Sequence, residues 1–205
     1  MTDNYKAVVE YDIKRFLAGD PQEMAALAGL KIENNRIIVP LFNEKFTLDI
    51  LNGAIRSLTK PEQEPTSYQK MFILHHLLET KPQAQLSGEY VTIRSIKDAW
   101  VHEKAFENAG TKPLARAFSG RLADFIKVAR QLGGQTAAGG DYSFILHALP
   151  LIPLQIIFWD GEEDIPAAAN ILFDKNITDF THPEDVIGLG EAAADLIIAY
   201  GENLT

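Results

Sequence analysis

Apolar residues return every three or four positions over about 4–17 (Tyr5, Val8, Val9, Ile13, Phe16, Leu17), which predicts a helix closed by Gly19. Asp20-Pro21 opens a second helix, because Asp caps free N–H groups and Pro presets the first helical φ. Polar–apolar alternation then takes over. RIIVPLF (36–42) and KFTLDIL (45–51) read as a hairpin turning at Asn43-Glu44, with Asn34-Asn35 as the turn before it. Helical spacing resumes after Thr66, whose partner Gln69 completes a capping box, and Met71, Phe72, Leu74, Leu77 and Leu78 form the buried stripe.

GEYVTIRS (88–95) reads as a strand. Ser95 then caps a helix over Asp98, with Ile96, Ala99, Trp100 and Phe106 on its apolar face. A short helical piece over 112–118 and a helix over about 120–132 follow, the latter ended by Gly133-Gly134. Then come the strands FILHALP (144–150), LQIIFW (154–159) and ANILFD (169–174), and a last helix over about 182–200 that opens on the capping pair Thr181 and Glu184. The fold class is therefore α+β: antiparallel meanders packed against five to six helices in one domain over 1–205. The order helix, hairpin, strand, helix occurs over 20–80 and again over 120–200, and Val39-Pro40-Leu41 occupies a hairpin position like that of Leu149-Pro150-Leu151, so an internal pseudo-repeat is expected. Phe144, Leu146, Leu154, Ile156, Phe158, Ile171, Phe173, Leu189 and Leu196 are the expected C-terminal core.

Composition narrows the function. The chain has 205 residues, 46% of them apolar and 23% charged, as in ordinary globular domains. It lacks an apolar run long enough to span a bilayer, and its N-terminus lacks the apolar stretch of a secretory signal, so a cytoplasmic protein is expected. With no cysteine, the chain has no disulfide, no thiolate nucleophile and no thiolate ligand for an iron–sulfur cluster or zinc. Residues 147–205 carry eleven acidic side chains and the single base Lys175, whereas 1–146 carry seventeen acids and eighteen bases. That balance disfavours nucleic acid, which demands a basic footprint.

The concentrated polar chemistry lies at the end of the second hairpin. Trp159, Asp160, Glu162, Glu163 and Asp164 follow a strongly apolar strand, and Asp174, His182, Glu184 and Asp185 lie at the next strand end and helix start. These residues are the candidate ligand- or partner-binding set. Crowded carboxylates suit a hard cation or a cationic partner, although the spacing is not that of an EF-hand, and an acidic turn also serves solubility alone. If the meander folds back, Asp160, Asp174 and His182 would converge as a mixed oxygen and nitrogen metal site. Other patterns fall short. His75-His76 lacks the i, i+4 histidine spacing of a zinc protease helix. LGGQTAAGGD (132–141) runs helix, glycines, strand, the reverse of a phosphate-binding loop. No catalytic residue and no cofactor is assigned.

ARQLGG (129–134), the GGD at 139–141, LPLIPLQIIFWDGEEDIPAAANILFD (149–174), THPED (181–185) and GLGE (188–191) resemble an uncharacterised family, domain of unknown function 3786. PLARAFSG (113–120), HHLLE (75–79) and RIIVPLF add weaker matches, so the resemblance spans nearly the whole chain. It implies no reaction. Members of that family occur mostly in anaerobic bacteria and archaea, and some longer relatives carry an iron–sulfur module that this chain, without cysteine, does not share. The expectation is a soluble, non-catalytic ligand- or partner-binding accessory protein of anaerobic metabolism, its partner an unidentified small molecule or protein. The alternative is a metal-dependent hydrolase using Asp160, Asp174 and His182. The prolines in the apolar strands suggest a sheet edge that a second copy would cover, making a homodimer.

Overall fold

A computed structural model describes residues 2–204, with side chains from Tyr5 onward. The chain is α+β, as the patterning predicts, and its contacts cluster into two compact units. The first takes the residues up to Leu86 together with 149–151 and 176–182; the second takes 87–148, 152–175 and the residues from 183 onward.

In the first unit, α1 (Thr2–Ala18) packs on α3 (Ser67–Glu79), with α2 (Pro21–Leu27) between them in sequence. The Asp20 carboxylate accepts the N–H groups of Gln22 and Glu23, and Thr66 and Gln69 form the expected reciprocal capping box. Four antiparallel strands lie side by side in chain order: β1 (Lys31–Glu33), β2 (Arg36–Leu41), β3 (Glu44–Asp49) and β4 (Ile55–Ser57). Asn34 and Asn35 both take positive φ between the paired residues Glu33 and Arg36, which matches the twist a two-residue hairpin needs. The next turn lies one residue earlier than expected. Leu41 pairs with Glu44, so Phe42 and Asn43 make the turn, and Phe42 takes the positive φ. The buried stripe of this sheet is Ile37, Val39, Leu41, Phe46 and Leu48.

In the second unit the sheet order is β5 (Tyr90–Val91), β9 (Ala168–Asp174), β8 (Ile152–Trp159), β7 (Tyr142–Leu149), β6 (Gln135–Ala137). Leu154, Ile156 and Phe158 pair with Phe173, Ile171 and Ala169, so one face of β8 and β9 is apolar. The helices α4 (Glu103–Phe106), α5 (Lys112–Phe118), α6 (Leu122–Gln131) and α7 (Pro183–Glu202) complete the unit. Phe118, Phe125, Phe144 and Phe158 pack with ring centroids 4.8–6.5 Å apart, within the range of favourable aromatic pairs. Of the nine expected core residues, eight are buried and Leu196 is half-buried.

The expected helix over Ser95–Phe106 is broken. Asp98 takes φ 64°, the chain makes short 3₁₀ turns at Ile93–Ser95 and Trp100–His102, and Trp100 is 57% exposed. Helix proper starts only at Glu103, passes through one π-helical turn at Glu107–Thr111 and continues into α5. The expected strand 88–95 shrinks to Tyr90–Val91 for the same reason: the chain turns away after Thr92.

Leaving β5 aside, each unit runs helix, four-stranded meander in chain order, helix. The prolines are not equivalent, however: Pro40 is inside β2, whereas Pro150 is the first residue of the turn after β7. Among the described residues, no helix is long and apolar enough to cross a membrane.

Candidate functional site

The antiparallel pairing Trp159–Ala168 sets one end of the second unit's sheet, and 160–167 form the loop beyond it. Two aspartates pin this corner. The Asp160 carboxylate accepts the Gly120 N–H at 2.7 Å and the Gly161 N–H at 3.0 Å. The Asp160 N–H in turn donates to Asp141 Oδ2 at 2.7 Å, and the Asp141 N–H donates to the Phe158 carbonyl at 2.9 Å. Hydrogen bonds to a charged acceptor are the stronger kind, about 1.5–3 kcal/mol each. The segments carrying Ser119-Gly120, the GGD and the WDGEE therefore meet at one point. Gly140 is needed there, since a Cβ would lie 2.4 Å from the Phe158 carbonyl oxygen and its φ is +59°.

Pinned in this way, the loop presents mixed chemistry. Glu162 and Ile165 bond each other's backbone at 2.9 and 3.1 Å, turning Glu162, Glu163 and Asp164 into solvent. Trp159 is 40% exposed and Ile165 61%. A shallow hollow of about 590 Å³ separates the acidic loop from Ser119 and Gly120.

A second concavity, a cleft of about 390 Å³, runs along the helical side of the same sheet end. Its sheet wall is Ala167–Asn170 and its helical wall carries Glu103, Phe106, Glu107, Thr111 and Lys112, spanning the π-turn. A π-turn widens a helix locally and often marks a functional position. Lys112 sits 3.1 Å from Glu107, and Arg94 sits 3.9 Å from Glu103, ion pairs that at such exposure contribute about 0–1 kcal/mol.

The remaining expected residues lie elsewhere. Asp174 ends β9, six residues from Ala168, which places it about 20 Å along the strand from the Trp159 corner. The expected convergence of Asp160 with Asp174 is thus incorrect, because in antiparallel strands the end of one lies beside the start of the next. Asp174 is buried and accepts the Ser87 N–H at 3.1 Å, the Ser87 hydroxyl at 3.0 Å and the Gly88 N–H at 2.9 Å, tying the chain before β5 to the strand end. Burial, with the Asp174 charge adding to it, holds the neighbouring Tyr90 phenol above its ordinary value. His182 belongs to the first unit, where its ring centroid is 5.5 Å from that of His75. In the first turn of α7, Glu184 is exposed and Asp185 buried. Among the described residues no group of three or more His, Asp or Glu side chains could hold a metal ion.

One polar cluster escapes the sequence reading. Asp12 is buried on α1 and meets His75 Nε2 at 2.9 Å; Arg15 donates to Asp12 at 3.1 Å and to Glu79 at 2.9 Å. The cluster ties α1 to α3 by charge-assisted bonds. Its signal in the sequence is a carboxylate placed on the helix stripe of Val9 and Phe16. His76 is also buried, its two ring nitrogens 2.9 and 3.1 Å from the carbonyl oxygens of Phe180 and Ala28.

These features define an α+β protein of two antiparallel-sheet units whose candidate surface is aromatic and acidic. A family model described as a domain of unknown function (DUF3786) matches residues 20–195, and the chain belongs to that family. No curated protein and no solved structure matches it.

Proposed function

We propose that this protein is a soluble, cytoplasmic, non-catalytic binding protein, an accessory of anaerobic metabolism, and that it engages a cationic ligand or partner through the Trp159 end of the second sheet. One observation carries the reading: Trp159 and Ile165 stand exposed beside Glu162, Glu163 and Asp164 on a loop that Asp160 and Asp141 hold fixed. A preformed surface loses little conformational entropy on binding. Exposed aromatic area with flanking charge suits recognition. The carboxylates of Asp160 and Asp174 receive backbone N–H groups and lie at opposite ends of the sheet, which favours the binding reading over a hydrolase that would use both.

The test is affinity capture of the full chain from its native cells, with co-purifying proteins and metabolites identified by mass spectrometry. The double variant Glu162→Lys/Glu163→Lys is expected to lose the principal captured partner by about tenfold or more, a change of about 1.4 kcal/mol or greater. A partner set unchanged by the double variant would overturn the assignment of this surface.

A further inference from the structure

We propose that the cleft between β9 and the π-turn is a binding site for a small, uncharged nitrogen heterocycle bearing a carbonyl group. It lies wholly in the second unit, and none of Trp159, Glu162, Glu163 and Asp164 lines it, so it goes beyond the surface proposed above.

Two alanines leave the space. On its apolar face β9 carries Phe173, Ile171 and Ala169 in turn, because alternate residues of a strand share a face. The first two are fully buried, whereas Ala169 stops at its Cβ and is half-buried. Ala115 of α5 is equally short, and Phe106 and Ile93 add apolar surface to the lining. The resulting volume of about 390 Å³ is in the range of small-molecule sites. Thr111 makes this hollow more than a packing gap. The residue is 8% exposed, and among the described residues no group within hydrogen-bond reach partners its hydroxyl. Side-chain polar atoms sealed from solvent all have partners among the described residues, so the Thr111 hydroxyl is not sealed, and the space it lines is the cleft. Its position follows from the π-turn. The Lys112 N–H donates to the Glu107 carbonyl, five residues back, and Pro113, which has no N–H to give, follows at once.

The polar groups of the lining select the occupant. Glu107 is paired with Lys112 and Glu103 with Arg94, so the wall holds no spare charge for an ion. An anion would also meet two carboxylates. A purely apolar molecule would cover the Thr111 hydroxyl without giving it a partner, which is unfavourable. Two further neutral groups line the cleft. Thr92 makes no side-chain capping bond, and Asn170 accepts the Ile171 N–H through its oxygen, leaving its amide N–H groups to donate. Hydroxyls donate and accept, whereas an amide nitrogen only donates. The complement is a neutral molecule with an apolar ring face for Ala169, Ala115 and Phe106, and with a carbonyl oxygen and an N–H on its rim.

The neutral probes are nicotinamide and uracil. Their comparators are the anions nicotinate and orotate, the cationic N-methylpyridinium form of nicotinamide, and toluene. Binding to the full-length protein is read from amide chemical-shift changes at Thr92, Thr111 and Asn170 in heteronuclear NMR. At least one neutral probe should saturate these shifts with a Kd at or below about 1 mM. The ions and toluene should bind about tenfold or more weakly. Thr111→Val keeps the side-chain shape and removes the hydroxyl; it should weaken the neutral probe about tenfold while the spectrum stays dispersed. Ala169→Leu, which fills the cleft, should abolish binding. The site is overturned if neither neutral probe saturates, if the ions or toluene bind as well, or if Thr111→Val binds as tightly as the parent. The capture experiment on Glu162 and Glu163 reads a different surface, so its outcome is independent of this one.

Discussion

At the scale of single residues, the acids of this chain divide by what they accept. Asp160, Asp141 and Asp174 each accept backbone N–H groups, and each ties a loop to a strand end. Glu162, Glu163 and Asp164 face water. In the sequence all six look alike, because nothing in a run of residues states which N–H will come within 3 Å. His76 shows the same limit. Burial pushes its imidazole below the ordinary value, against the raising effect of the Phe180 and Ala28 carbonyls. A neutral ring has a single N–H, so it can donate to only one of those two oxygens. Because burial outweighs those two carbonyls, the folded state binds the second ring proton less tightly than the unfolded state does. The contribution to stability is complete above the unfolded value of 6.5 and declines as the pH falls below it. In a proton NMR titration the His76 ring should keep its neutral-form shifts to below pH 6.5; titration at or above that value would contradict the assignment.

At the scale of elements, α7 depends on glycine for its approach to the core. A Cβ at Gly190 would lie 2.5 Å from the Phe106 ring and 2.9 Å from Phe173, rings that themselves stack at 5.8 Å. Overfilling a packed core costs about 1–3 kcal/mol. Gly190→Ala should lower the stability of the second unit by that amount in urea denaturation, despite the better helix propensity of alanine. A variant as stable as the parent would mean that the helix can shift off Phe106. The long periodic elements were legible in the sequence: α1, α3, α6, α7, the capping box at Thr66 and Gln69, and the turn at Asn34-Asn35 are where the pattern puts them. The segment 93–111 was not. Its apolar spacing suits a helix, yet Asp98 takes a positive φ, Trp100 faces solvent, and a π-turn rather than a regular one carries the chain into α5.

At the scale of the whole molecule, the first unit is discontinuous in sequence. Residues 176–182 belong to it although 152–175 and 183 onward belong to the second. Phe180 and Ile177 are buried, and the Phe180 carbonyl receives the His76 ring. A fragment of residues 1–86 would lack both side chains, each worth about 1.5–3 kcal/mol of burial. It should give a collapsed amide NMR spectrum, whereas the full chain gives a dispersed one; a dispersed fragment spectrum would show that the first unit is complete without those residues. Residues 20–80 and 120–200 each contain a helix, four antiparallel strands in chain order and a helix. The sequence by itself determined the secondary-structure periods, the α+β class, the apolar core of β7–β9 and the acidic loop, because these depend on neighbours within a few residues. Only the tertiary structure decided that Asp174 lies far from Asp160, that His182 joins His75, and that β5 pairs with β9 over just two residues. Strand direction and pairing length bring together residues tens of positions apart, and local pattern carries no record of them.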